Sequence, residues 1–399
     1  MSGADKESEP ADTGLGVYLH VPFCRQPKCP YCDFYCTAAG PGLIESYLDA
    51  AEKELEAQAA GPFSGEWVVE NIFFGGGTPS LLDPKQAGRL IRRVQALWPV
   101  SASPEITLEC NPEDLTRDRA EGYRAAGVNR LSIGCQSFDS PMLAALGRSH
   151  GVDRNYRAVE AARLAGFERV SIDLILGGPG SGKSGLLKSV EAALALKVGH
   201  LSIYGYHLDP AASGYGRPEF APAPDESYCE QYLAVCAALE EAGWLHYEIS
   251  NWAALAEEVC RNNLHYWQRR VYLGVGPAAH SFLPPAWRTW NRPDLSAWLL
   301  ASAGGDYVAV RGGERLGPEQ IEGERLMLGM RLADGVDIEL VRRFLGPEME
   351  RELAGLAGEG LIGPQTGGRI RLTDNGYLLY DSIVALLLGE SGFQLDKGC

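Results

Sequence analysis

The sequence predicts an α/β protein, a partial (β/α)6 barrel followed by a smaller helical, winged-helix-like unit. Two observations carry this. Six strand-like runs alternate with helical segments across residues 16–255, the arrangement that builds a parallel sheet. Polar and reactive residues also stand at or near the end of every one of those strands. A doubly wound sheet would gather them at one switch point, whereas a barrel spreads them around its rim.

The elements follow in order. Residues 1–15 are acidic, lack an apolar stretch and read as a disordered tail, neither signal peptide nor anchor. GVYLHVP (16–22) is the first strand and runs into Cys24. The helix LIESYLDAAEKELEAQ comes next, with Ile44, Leu48, Ala51 and Leu55 on one face. VVENIFF (68–74) leads into GGGTPS, then PKQAGRLIRRVQALW is helical. EITLEC (105–110) brings Glu109, NRLSIG (129–134) leads to Gln136, and RVSIDLIL (169–176) carries Asp173. HLSIYGY (200–206) ends in Tyr204, Tyr206 and then His207. Residues 256–318 read as a connecting segment, rich in Pro, Gly, Trp and Arg from 283 on. From 319 to 399 the pattern is helix, helix, the hairpin EGLIGPQTGGRIRLT and a last helix YLLYDSIVALLL. That unit reads as a packing or lid module.

Bulk properties narrow the function. The 399 residues are 45% hydrophobic and 22% charged, as in ordinary globular proteins, but the net charge is −16. That balance argues against a nonspecific hold on nucleic acid or anionic lipid, both of which need a basic face. No apolar run reaches the ~20 residues that span a bilayer. The expected location is the cytoplasm, where thiols stay reduced, so grouped cysteines suggest metal or catalysis. Four of the ten cysteines (Cys24, Cys29, Cys32, Cys36) fall in one segment.

Two motifs compete. Gly177 to Ser184 matches the phosphate-loop pattern G-x-x-x-x-G-K-[ST] between a strand and a helix, which suggests a P-loop NTPase. Against it, five strand–helix units precede the match, whereas such a loop normally opens its domain. The segment YLHVPFCRQPKCPYCDFYC spaces its cysteines C-x4-C-x2-C-x3-C. Three thiolates can hold three irons of a 4Fe–4S cluster and leave the fourth open. Zinc, held by all four, would close the site.

YLHVPFC and CPYCDF, with GGGTPS, EITLECNPE, NRLSIGCQSFD, LGRSH, SIDLILGGPG, YEISNWA and YLGVGPAAHSF in order, resemble the radical S-adenosylmethionine (SAM) enzymes. More narrowly they resemble the oxygen-independent coproporphyrinogen III oxidase family and its heme-chaperone branch. That family spaces its cysteines C-x3-C-x2-C, and this chain carries one residue more between Cys24 and Cys29, in a stretch that includes Pro27. The flanking matches assign Cys24, Cys29 and Cys32 as cluster ligands, with Cys36 left over. Cys29, Cys32 and Cys36 form an alternative triad. The resemblance implies SAM contacts from Tyr18, Tyr31, Gly76, Gly77, Thr78, Glu109, Gln136, Arg148 and Asp173. It already accounts for Gly178 to Gly180, leaving only Gly182, Lys183 and Ser184 of the phosphate-loop match to coincidence.

The implied chemistry is one-electron reductive cleavage of SAM to a 5′-deoxyadenosyl radical, with an unidentified electron donor. In the oxidase branch this is an oxidoreductase step on porphyrinogen propionates. In the chaperone branch heme is bound as cargo and handed to an acceptor protein. The short stretch before the first strand favours the chaperone branch. So does Asn262-Asn263-Leu264-His265-Tyr266-Trp267, which resembles that branch's H-N-x-x-Y-W block with Asn262 in place of its first His. His265, Cys260 and His280 stand as heme-ligand candidates beside plain structural roles. The expected function is a heme chaperone. The alternatives are the oxidase, a methyl-transferring relative and, more remotely, the NTPase.

Overall fold

All six apolar runs are strands. β1 (Gly14–Val21), β2 (Val68–Gly76), β3 (Val100–Cys110), β4 (Arg130–Gln136), β5 (Arg169–Leu176) and β6 (His200–Gly205) lie side by side in that order, each parallel to the next. The computed structural model describes residues 13–25, 28–210, 212–365 and 367–389. Most of the acidic tail and the inserted region's Pro27 fall outside them.

Helices α1 (Leu43–Ala60), α2 (Pro84–Leu97), α3 (Arg117–Ala125), α4 (Ser140–Ala145), α5 (Val152–Leu164), α6 (Lys183–Ala195) and α7 (Asp225–Glu241) fall between and after the strands. Local chemistry fixes their starts. At α2, Asp83 accepts from the amides of Lys85 and Gln86, and Gln86 returns a bond to the Asp83 amide. A cap of this kind is worth about 1 kcal/mol.

The expected connecting segment is part of the barrel sheet. At one edge, β7 (Leu245–Glu248) and β8 (Asn251–Ala253) form an antiparallel pair, and β8 joins β6 antiparallel. At the other, β9 (Tyr272–Val275) lies parallel to β1, making seven parallel strands. β10 (His280–Leu283), β11 (Trp287–Asn291) and β12 (Arg311–Arg315) then extend that edge antiparallel. Gly274 is needed here, because a Cβ would fall 2.1 Å from the His280 carbonyl oxygen. Two helices complete the segment, α8 (Arg261–Trp267) and α9 (Leu295–Gly304).

One buried carboxylate fastens this segment down. Glu54 of α1 accepts from the Gly276 amide (2.9 Å), Trp298 Nε1 (2.9 Å), Asn291 Nδ2 (2.8 Å) and the Arg311 guanidinium. A buried charge this fully satisfied is strongly destabilising to unpair, by about 3–5 kcal/mol.

Past β12 come α10 (Pro318–Met330), α11 (Ile338–Leu345), α12 (Met349–Gly358), α13 (Asp374–Leu378) and α14 (Tyr380–Leu387). Val336–Asp337 pairs antiparallel with Arg369–Ile370, and Ile362 bridges Leu372, giving a small wing. Leu326, Met330, Val341, Leu353, Ile370 and Leu387 are buried in one cluster continuous with the barrel core. Among the described residues, no helix is long and apolar enough to cross a membrane.

Candidate functional site

After β1 the chain enters the cysteine loop. Phe23–Cys24 pairs in parallel with Thr37–Ala38, and the Thr37 amide donates to the Pro22 carbonyl (2.8 Å). This short ribbon places Cys36 beside Cys24. The Cys32 amide donates to the Cys29 carbonyl (3.1 Å), turning the chain so that Cys29 and Cys32 lie together. All four thiols are half-buried and free. Cys24, Cys29 and Cys32 line the mouth of a cavity of about 630 Å³, and Cys36 stands just outside its lining.

The loop's far end is latched. His20 Nε2 donates to the Tyr35 carbonyl (3.0 Å), which leaves Nδ1 to accept from the Tyr18 hydroxyl (3.1 Å). Burial pushes the His20 pKa down, keeping the ring neutral in that tautomer. The Tyr35 hydroxyl in turn accepts from the Leu295 amide of α9 (2.7 Å).

Electrostatics at the mouth favour thiolate at one position. The Cys36 hydrogen bond, assisted by Thr78 Oγ1 (3.5 Å) and Arg148, outweighs burial and lowers the Cys24 pKa to about 6. The same bond pushes the Cys36 thiol up, and burial pushes up that of Cys32. Arg148 Nη1 reaches Cys29 Sγ (3.5 Å) and its Nη2 donates to Asn111 Oδ1 (2.8 Å). Its Nε is buried without a partner, aimed at no protein acceptor.

Deeper in the cavity stand two half-buried acids, Glu109 on β3 and Asp173 on β5. Burial and then the charge of Asp173 raise Glu109 to about 8, against a backbone hydrogen bond from Gly76. Burial also raises Asp173, partly offset by hydrogen bonds from Ser132 (2.9 Å) and Ser202. Among the described residues, no cation lies within ion-pair distance of either acid. The wall beside them is bare backbone. Gly76 has φ +104, and a Cβ on Gly77 would fall 2.5 Å from the Phe23 carbonyl. These features fit a soft metal cluster held by thiolates, next to a molecule bearing a cation, a carboxylate and hydroxyls. The donor set is soft, neither acid is ion-paired among the described residues, and Arg148 has a spare donor.

The expected site residues are largely brought together. Tyr31, Gly76, Gly77, Thr78, Gln136 and Arg148 all line the cavity. Gln136 does so with φ +64, a left-handed conformation uncommon outside glycine, at a register shift in β4. Tyr18 does not line it. Its ring lies behind Gly75, and its hydroxyl is held by His20.

The heme-ligand candidates are scattered. His265 is 0% exposed, with Nδ1 at the Val271 carbonyl (3.1 Å) and Nε2 opposite Glu70 (3.4 Å). Cys260 lies at the cavity floor, its thiol donating to Glu105 (3.7 Å) and pushed by burial to about 12. His280 is exposed on β10, stacked against Trp290.

The phosphate-loop match has other work. The Gly177 amide and the Ser181 hydroxyl both donate to Gln231 Oε1 (3.2 Å each), and Ser181 N closes on the Gly178 carbonyl. Lys183 is ion-paired with Glu230 (3.2 Å) at the surface.

Sequence reasoning missed Asn111, Ser132 and Ser202, which orient Arg148 and Asp173. A signal existed. Arg-Leu-Ser-Ile (130–133), Arg-Val-Ser-Ile (169–172) and His-Leu-Ser-Ile (200–203) repeat one pattern on three successive strands. Ser132 and Ser171 stand in register, as do Asp173 and Ser202.

Known proteins match most of this chain. Residues 18–193 match the model of the radical SAM superfamily, and residues 317–379 match the HemN C-terminal domain. The chain is 37% identical to the heme chaperone HemW of Mycobacterium tuberculosis over 383 residues, covering 94% of this chain and 95% of that one. It is 34% identical to the heme chaperone HemW of Bacillus subtilis, covering 94% and 99%. Among solved structures, the Escherichia coli coproporphyrinogen III oxidase HemN superposes with a TM-score of 0.79 at 22% identity, covering 94% of this chain and 90% of that one. That likeness is one of fold.

Proposed function

The chain belongs to the HemW family of the radical SAM superfamily, and from that premise we propose that it binds heme and transfers it to an acceptor protein. One observation carries the reading: 37% identity to a heme chaperone across 94% of this chain and 95% of the relative. The oxidase alternative draws only on the shared fold at 22% identity.

We assign Cys24, Cys29 and Cys32 as the ligands of a 4Fe–4S cluster, with SAM in the adjoining cavity. Together, when bound, these two groups supply one-electron reductive chemistry. The chain's own residues bind and orient. Glu109, raised by burial and by Asp173, is set to take a cation such as the SAM ammonium, which would draw it into its ionised form. Arg148 offers its free Nε to a carboxylate. Asp173 and Gln136 suit ribose hydroxyls, and Tyr31 forms the apolar wall with Tyr206 (5.8 Å between rings). Gly76 and Gly77 allow the ligand to lie against the main chain. Cys36 donates a hydrogen bond to the Cys24 sulfur. Of the heme-ligand candidates, His280 is assigned the role, because its ring is open to solvent while the His265 ring and the Cys260 thiol are committed internally.

Heme titration of anaerobically purified protein tests the reading. Stoichiometric binding, with transfer to an apo-hemoprotein, is expected. Decarboxylation of a porphyrinogen without heme binding would reverse the order of the two readings.

A further inference from the structure

On the far side of the barrel wall, α7, β7 and α13 bring three side chains to one point. Cys236 of α7 is 3% exposed. His246 of β7 directs Nδ1 at Asp374 Oδ1 (3.1 Å), the first residue of α13 in the C-terminal unit. One ligand atom from each of the three residues lies within 4.8 Å of the other two.

We propose that Cys236, His246 and Asp374 form a site for a zinc-class divalent metal ion that joins the barrel to the C-terminal unit. The donor set is a thiol, an imidazole nitrogen and a carboxylate oxygen, the combination zinc takes in four-coordinate sites. Donors on one zinc ion lie about 2.0–2.3 Å from the metal and hence roughly 3–4 Å apart, so the cluster already has nearly the right span.

The imidazole is oriented as a ligand would be. Its Nε2 faces the Ile249 carbonyl (3.3 Å), and its ring stacks on Trp252 (4.3 Å, 14°) with Tyr377 edge-on at 5.2 Å. A metal-bound histidine characteristically donates its other N–H to a backbone carbonyl in this way. With Nε2–H given to Ile249, the Nδ1 lone pair of a neutral ring meets a carboxylate lone pair. Either a second proton on the ring or a metal removes that conflict, and the Cys236 thiol beside the same carboxylate supplies the third donor a metal needs. The fourth position faces a cavity of about 450 Å³ lined by His246, Asp374, Thr373 and Tyr377, which leaves room for water or a partner's side chain. This site is independent of the cysteine loop and of the reading given to it.

Zinc titration settles it, in full-length protein carrying serine at Cys24, Cys29, Cys32 and Cys36 so that the loop cannot take the ion. One saturable zinc is expected, with a rise in the thermal midpoint. Cys236→Ser, His246→Gln and Asp374→Asn should each weaken it by at least roughly the 100-fold that outer-shell changes reach. Asp374→Asn keeps the side chain's shape, so loss of zinc with an unchanged metal-free midpoint excludes simple misfolding. Cobalt(II) should give a thiolate charge-transfer band that Cys236→Ser abolishes. Absence of saturable zinc binding, or binding indifferent to all three replacements, overturns the proposal. A midpoint that responds to pH and not to zinc identifies the cation as a proton and overturns it too.

Discussion

The two ends of the barrel interior handle charge in opposite ways. At the lower end Glu105 is matched by Arg169 (2.6 Å), Arg130 (3.6 Å) and the Arg261 amide (3.0 Å). Four residues further along the same strand, about 13 Å away, Glu109 meets another acid and no cation. Glu105 is buried at 1% exposure, whereas Glu109 is half-buried in the cavity wall, open to whatever fills it. The lower cluster closes the barrel and is complete in itself. The upper one is left incomplete by the protein, which is how a binding site for an ion-bearing ligand differs from a structural one.

The sharpest way to break this contrast is at the mouth. Replacing Cys24, Cys29 or Cys32 with serine should abolish the cluster, read as loss of iron and sulfide in anaerobic protein. Cys36→Ser should retain it. Retention in Cys24→Ser together with loss in Cys36→Ser would move the ligand set to Cys29, Cys32 and Cys36.

At the lower end the expected effect is on stability alone. Glu105→Ala, which leaves the buried Arg130 uncompensated, should cost about 3–5 kcal/mol in denaturant unfolding. A loss under 1 kcal/mol would show that this cluster is not structural in the sense argued.

Glu109→Gln should separate the two roles. SAM affinity should fall roughly 10- to 100-fold, in line with the ~1.5–3 kcal/mol of a charged hydrogen bond, as followed by equilibrium dialysis. The ligand-free protein should behave in the opposite sense. Its Glu109 carboxyl holds its proton up to about 8 against an ordinary 4.5, so unfolding releases that proton between these values. Stability contributed by the protonated acid is therefore lost as pH rises through that window. The variant lacks this loss, and its thermal midpoint should gain on the parent from pH ~5 to ~8.

The smallest effect belongs to Lys183→Ala. An exposed ion pair contributes about 0.2–1 kcal/mol at most, and neither parent nor variant should bind ATP. ATP affinity lost with Lys183 would restore the NTPase reading.

The strands and the cysteine loop were legible because each is a local pattern: an apolar run such as RVSIDLIL, or four thiols within a few residues. β9 was not, because four residues with a central glycine show no periodicity. Its place beside β1 is fixed by contacts such as Glu54 to Gly276, 222 positions apart. Asn111 and the two serines were hidden for another reason. Polar residues that orient a catalytic or binding group look like any buried hydrogen-bonding residue until register places them. Lys183 shows the converse: a pattern matched letter for letter, while the Gly177 amide and the Ser181 hydroxyl within it were spent on Gln231.

The bond from the Leu295 amide to Tyr35 bears on what holds the cysteine loop. It anchors the sulfur-bearing segment to a helix some 260 positions away in the chain, using only peptide and phenol groups. That tether involves no sulfur, so the far end of the segment is held whatever the thiols bind.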